Sequence, residues 1–177
     1  MKLTTWIGLG VRGVVAGVVG TAAMDALWYV RYRRADGDAG PLRWEFGGVE
    51  GWDDVSSPGQ VGDLALTAVL GRRPPDRWAQ PTQNLVHLST GVGWGKLYAL
   101  VTGARSTGRG MVAGGGPLLG LAAWLTAYMV LPIVGVYKPM WRYDAKTLGS
   151  DLGAHLMFGS VTGLTLALVG RQSRSGK

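Results

Sequence analysis

The sequence predicts an all-α integral membrane protein: a four-helix bundle made of two tandem transmembrane hairpins. Three observations carry this reading. Charged residues are scarce in four long stretches and crowded between them. Glycine, at 30 of 177 residues, sits inside those apolar runs; there it lets membrane helices approach closely, although it weakens helices in water. The eight tryptophans lie mostly near the ends of the runs, where interfacial anchors belong. With no cysteine, disulfides and thiolate metal sites are excluded. The net charge of +7 comes from basic residues flanking the apolar runs, an ordinary topology signal. No nucleic-acid-binding motif accompanies it, so nucleic acid is not an expected partner and the lipid bilayer is.

The whole chain, 1–177, reads as one membrane domain. Residues 6–30 are apolar apart from Arg12 and Asp25. About 20 residues cross the hydrocarbon layer, which places the first span at about 11–30. The basic stop Arg31-Tyr-Arg33-Arg34 marks a retained span, not a cleaved leader. Residues 31–82 form a polar interfacial segment. Within it, Ser57 as N-cap, Pro58 as first helical residue and Gly71 as stop outline an amphipathic helix over 58–70, lying on the membrane surface or capping the bundle. The second span is expected at about 83–103, with Lys96 near enough to its exit to snorkel. The third is expected at about 111–136, with Pro132 ending or kinking it. A basic aromatic loop, Lys138 to Lys146, leads to the fourth at about 148–170.

The spans match in pairs. His87-Leu-Ser-Thr-Gly91 and His155-Leu-Met-Phe-Gly159 both continue to a second glycine, Gly95 and Gly163. Arg12-Gly-Val-Val-Ala-Gly17 matches Arg109-Gly-Met-Val-Ala-Gly114. Two units of two crossings each imply a parallel internal repeat. Glycines spaced four apart, Gly13 and Gly17, Gly91 and Gly95, Gly116 and Gly120, Gly159 and Gly163, give each helix a smooth face for a neighbouring backbone.

Helix rise puts Asp25, His87, Asp151 and His155 at one depth near the face that carries residues 31–82. Gln83 occupies the repeat position of Asp151, with Asn84 beside it, and both are candidate supporting residues for the cluster. Ionisable groups in a membrane are costly and usually face the interior. Such a cluster can act as interhelical glue, as a proton-binding site, or as a site for a divalent metal; two imidazoles and one or two carboxylates suit Zn, Mn or Fe. No catalytic residue is assigned. Ser89 and Ser160 stand in no G-x-S-x-G elbow, and Gly114-Gly-Gly116 is not followed by Lys-Ser/Thr.

The segments Gly17-Val-Val-Gly-Thr-Ala-Ala-Met24, Asn84-Leu-Val-His87 with Gly91 and Gly95, and Asp151-Leu-Gly-Ala-His155-Leu after the Trp141 loop resemble the YagU-like family of bacterial four-helix inner-membrane proteins. The resemblance implies a multi-spanning inner-membrane protein and supplies no catalytic assignment. Where similar sequences carry paired histidines this chain has Ala154-His155, a departure that weakens a metal role.

Four crossings put both termini on one side. The loop side holds Arg31, Arg33, Arg34, Arg43, Arg72, Arg73, Arg77, Lys138, Arg142 and Lys146; the other holds Lys2, Arg12, Arg105, Arg109, Arg171, Arg174 and Lys177. Count favours a cytoplasmic loop side. Density favours cytoplasmic termini, because that side's loops are short, and the termini are placed there. The functional expectation is a non-enzymatic membrane protein whose His/Asp cluster binds a proton or a metal. The alternatives are an accessory subunit packing on itself or a larger membrane complex through glycine faces, and a small oligomeric transporter or channel.

Overall fold

A computed structural model describes residues 3–104 and 108–170. Of the residues invoked for topology, Lys2, Arg105, Arg171, Arg174 and Lys177 lie outside the described residues. Seven α-helices are present among them, besides two short 3-10 turns: α1 (Leu3–Arg34), α2 (Pro41–Gly47), α3 (Ser57–Leu70), α4 (Ala79–Ala104), α5 (Arg109–Gly114), α6 (Gly116–Val130) and α7 (Ala145–Val169). No strand occurs among the described residues.

Three helical stretches are long and apolar enough to cross a membrane: Trp6–Arg34, Gly110–Val130 and Ala145–Val169. Helix α4 is long, 26 residues or about 39 Å at 1.5 Å per residue. It is not among the three: past its polar first turns it still carries His87, Lys96 and many Gly, Ser and Thr residues, which dilute its apolar character.

Helix α1 packs along both α4 and α7, and α7 packs also on α5 and α6. Glycine permits this closeness. A Cβ on Gly17 would stand 2.5 Å from the Gly91 carbonyl oxygen, and one on Gly13 would stand 2.5 Å from the Lys96 Cα. A Cβ on Gly116 would stand 2.5 Å from the Gly159 carbonyl oxygen, and one on Gly120 would overlap that of His155. Where the helices converge, Met24, Leu119, Ala154 and Phe158 form a buried cluster, with Trp94 and Tyr98 of α4 against it. Thr162 is fully buried, its hydroxyl donating to the Phe158 carbonyl.

The third apolar stretch is not one helix. It breaks at Gly115, ahead of Pro117, and ends at Val130, short of the expected 136. Pro132 lacks an N–H and its ring clashes with the preceding turn, so residues 131–137 form turns closed by Val136 N–H to Leu131 O at 3.0 Å. Helix α7 starts earlier than expected because Asp144 caps it, accepting from Thr147 N–H at 2.8 Å.

Residues 31–82 fold into a cap over the start of α4. Ser56, not Ser57, is the N-cap of α3, and Gly71 ends it in the left-handed region, where glycine carries no Cβ penalty. Helix α3 turns its glycines, Gly59 and Gly62, inward and leaves Leu64, Val69 and Leu70 exposed. Trp52, Val55 and Ala79 make a small separate core. Trp52 is 3% exposed, and its indole N–H donates to Pro74 O at 2.8 Å.

Candidate functional site

The four ionisable residues expected to cluster divide into two pairs. Helices α1 and α4 run antiparallel with Gly17 against Gly91, so Asp25, two turns on in α1, meets His87, one turn back in α4. His87 Nε2 lies 2.8 Å from Asp25 Oδ1. This contact joins two helices, and both side chains are about three-quarters buried.

His155 and Asp151 pair within α7. The His155 Nδ1–H donates to the Asp151 backbone carbonyl at 3.0 Å, which fixes the tautomer, and Asp151 Oδ1 is 3.5 Å away. The register of α1 against α7 brings Gly20 to Phe158 and Thr162, and Arg31 to Ser150. Asp25 therefore lies between those levels, at about the height of His155 along the helices. The four residues do not share one site. Helix α1 packs between α4 and α7, and among the described residues no three His, Asp or Glu side chains converge to hold a metal ion. The alternative of a Zn, Mn or Fe site therefore finds no set of three ligands among the described residues.

The two pairs differ for a reason visible in the packing. Counting from Gly17 and from Gly116, the same step reaches Asp25 in α1 and Trp124 in α6. Helix α6 thus offers an indole where α1 offers a carboxylate, and His155 bonds to its own helix instead.

Sequence reasoning missed Glu45. Helix α2 folds back over the end of α1, held by Trp44 against Tyr29, with ring centroids 5.5 Å apart, and against Tyr32 at 6.2 Å. This sets Glu45 beside the pair. Its carboxyl is held above the ordinary glutamate range, first by burial and then by the charge of Asp25, against the opposing pull of His87. The signal in the sequence was Pro41, a helix-starting residue, ahead of an aromatic that could stack on Tyr29 and Tyr32.

Gln83 and Asn84 fasten the cap. Gln83 Oε1 accepts from Ser56 N–H at 2.6 Å. Asn84 Nδ2 donates to the Glu45 carbonyl at 2.8 Å, and Gln80 Nε2 donates to the same oxygen at 2.9 Å. Asn84 therefore reaches the His87 pair indirectly, by holding the backbone of Glu45.

Two buried side-chain atoms among the described residues lack a hydrogen-bond partner: Trp124 Nε1 and Asp151 Oδ2. Such atoms are few in folded proteins and costly.

Comparison of the chain with protein-family models, with curated proteins and with solved structures finds no match.

Proposed function

We propose that this chain is a multi-pass membrane protein that crosses the bilayer four times, with α4 as the second crossing, and that Asp25 and His87 form a proton-binding pair under the cap. The observation that carries the reading is the 2.8 Å contact between His87 Nε2 and Asp25 Oδ1 across two long helices. Imidazole is the side chain that changes charge near neutral pH, and a carboxylate at this distance shares its proton. Glu45 is a third titrating group, carried by the short helix α2, outside the four proposed crossings.

Membership of α4 among the crossings is supported by its surface. Leu85, Leu88, Leu97 and Val101 are exposed, as are Val11, Val14, Val15, Val18 and Val19 of α1. Bare apolar stripes of this length suit lipid. The matched contacts of Gly17 with Gly91 and Gly116 with Gly159 support a parallel repeat of two hairpins. The resemblance to the YagU-like family points to a bacterial inner membrane, and the charge density of the short loops points to cytoplasmic termini.

The chain has no cysteine, so single cysteines report topology without background. Placed at Thr4, Asp38, Thr107, Lys146 and Ser173, they should react with a membrane-impermeant thiol reagent in two groups. Positions 4, 107 and 173 form one group, and 38 and 146 form the other. Opposite labelling of 4 and 173 would overturn the fourth crossing. For the proton, the imidazole of His87 should show a titration step that moves in Asp25→Asn; a step unaltered by that change would reduce the pair to a packing contact.

A further inference from the structure

A cleft of about 540 Å³ opens beside the start of α7. Its lining includes Trp28 from α1, Tyr128 from α6, Tyr137 and Tyr143 from the connection after α6, and Asp151. The tyrosines form one continuous wall. Tyr128 and Tyr137 have ring centroids 4.9 Å apart, Tyr128 and Tyr143 5.4 Å, and Tyr137 and Tyr143 6.1 Å.

The charged groups of the cleft are mostly committed. Asp144 gives both carboxylate oxygens to Thr147, at 2.8 Å each. Arg31, next to Trp28, donates to Ser150 O at 2.8 Å and lies 4.7 Å from the centroid of the Trp28 ring. Lys146 is exposed at the rim. Among the carboxylates Asp151 is the exception: it is 16% exposed, and its Oδ2 is buried with no hydrogen bond of good geometry. His155 reaches the backbone of Asp151 and stands 3.5 Å from Oδ1, the Tyr128 hydroxyl lies close to the same carboxylate, and no Lys or Arg neutralises it among the described ion pairs.

A carboxylate with no Lys or Arg paired to it, behind aromatic rings, repels anions and attracts cations. Small metal ions prefer several oxygens, and this wall offers ring faces. Ring faces attract a cation within about 6 Å of the centroid and suit one whose charge is spread over methyl groups.

We propose that this cleft binds an alkylammonium group, packed against Tyr128, Tyr137 and Tyr143, with the Asp151 carboxylate as its counter-ion. The group can belong to a lipid headgroup or to a free amine such as choline. The site is separate from the Asp25–His87 pair and does not depend on it.

The test uses the full chain in a maltoside detergent, which has no ammonium group. Tetramethylammonium and choline are titrated by calorimetry against sodium chloride of equal ionic strength. Saturable heat is expected with the ammonium ions and none with sodium. Asp151→Asn should weaken binding by about tenfold or more, a loss of about 1.4 kcal/mol. Tyr143→Leu, on the connection outside the helices, should weaken it too, in a protein that still unfolds cooperatively on heating. A second arm compares thermal stability in nanodiscs of phosphatidylcholine and of phosphatidylglycerol. Stabilisation by phosphatidylcholine without binding of free choline assigns the site to a lipid headgroup; binding of free choline assigns it to a solute amine. Folded wild-type protein that responds in neither arm overturns the proposal, and so does binding undiminished in both variants.

Discussion

Helices α1 and α4 are joined by a glycine seam, and so are α6 and α7, yet the two seams end differently. In each, a glycine faces a carbonyl oxygen of the partner: Gly17 against Gly91, Gly116 against Gly159. Beyond that point the first pair closes on an Asp–His contact and the second on an indole. One packing device thus serves two chemistries. The backbone approach is set by what is missing, a Cβ, while the polar residue one or two turns on is free to vary.

The comparison can be tested at the seams first, where the largest effects are expected. Gly17→Ala and Gly116→Ala each drive a methyl into a backbone carbonyl that cannot move aside. Each should cost about 1–3 kcal/mol or more, read as loss of thermal stability in detergent. Equal losses would support equivalent seams; a loss in one alone would break the equivalence.

The histidines come next. His87→Ala leaves the Asp25 carboxylate without its partner between two helices and should cost about 1–3 kcal/mol. His155→Ala removes one bond to its own helix and should cost about 0.5–1.5 kcal/mol. The reverse order would refute the division into an interhelical and an intrahelical pair.

Asp144→Ala should lower thermal stability by less, by removing the cap of α7, while Asp144→Asn should retain most of it. The bonds from Thr147 hold the Asp144 carboxyl below its ordinary range. Its contribution is therefore present above that range and lost as pH falls through the depressed value. The wild-type difference from Asp144→Ala should shrink in acid.

The smallest effect is expected at Glu45. A carboxyl raised by burial binds its proton more tightly in the folded chain than in the unfolded one. It favours the folded state in acid, and that contribution disappears as pH rises through the raised value. Glu45→Gln should flatten the dependence of thermal stability on pH just above the ordinary glutamate range. An unchanged profile would remove Glu45 from the neighbourhood of the pair.

Much of the helical framework was legible because it is written locally. Pro58 and Gly71 bound α3, Pro132 stops α6, and the spaced glycines mark the faces that touch. The depth of Asp25, His87, Asp151 and His155 followed from helix rise alone. Which of them meet did not, because that depends on α1 packing between α4 and α7. The repeat register also misled. The identity of Gly17 with Gly114 in R-G-x-V-A-G is the stronger string match, but Gly116 makes the contact equivalent to that of Gly17. The cap was read as an interfacial helix with flanking loops because its bonds are long-range. Gln80, Gln83 and Asn84 satisfy backbone groups of Glu45, Val49 and Ser56 far away in sequence, and no local pattern announces such partners.

The small core under the cap, Trp52 with Val55 and Ala79, carries a thermal consequence. Its cohesion comes from excluding water, so it weakens on cooling. The seams of the long helices, if bathed in lipid, owe nothing to that effect and rest on contact between atoms. Chilling should therefore loosen the cap before the helices beneath it, so that one chain carries two different responses to cold.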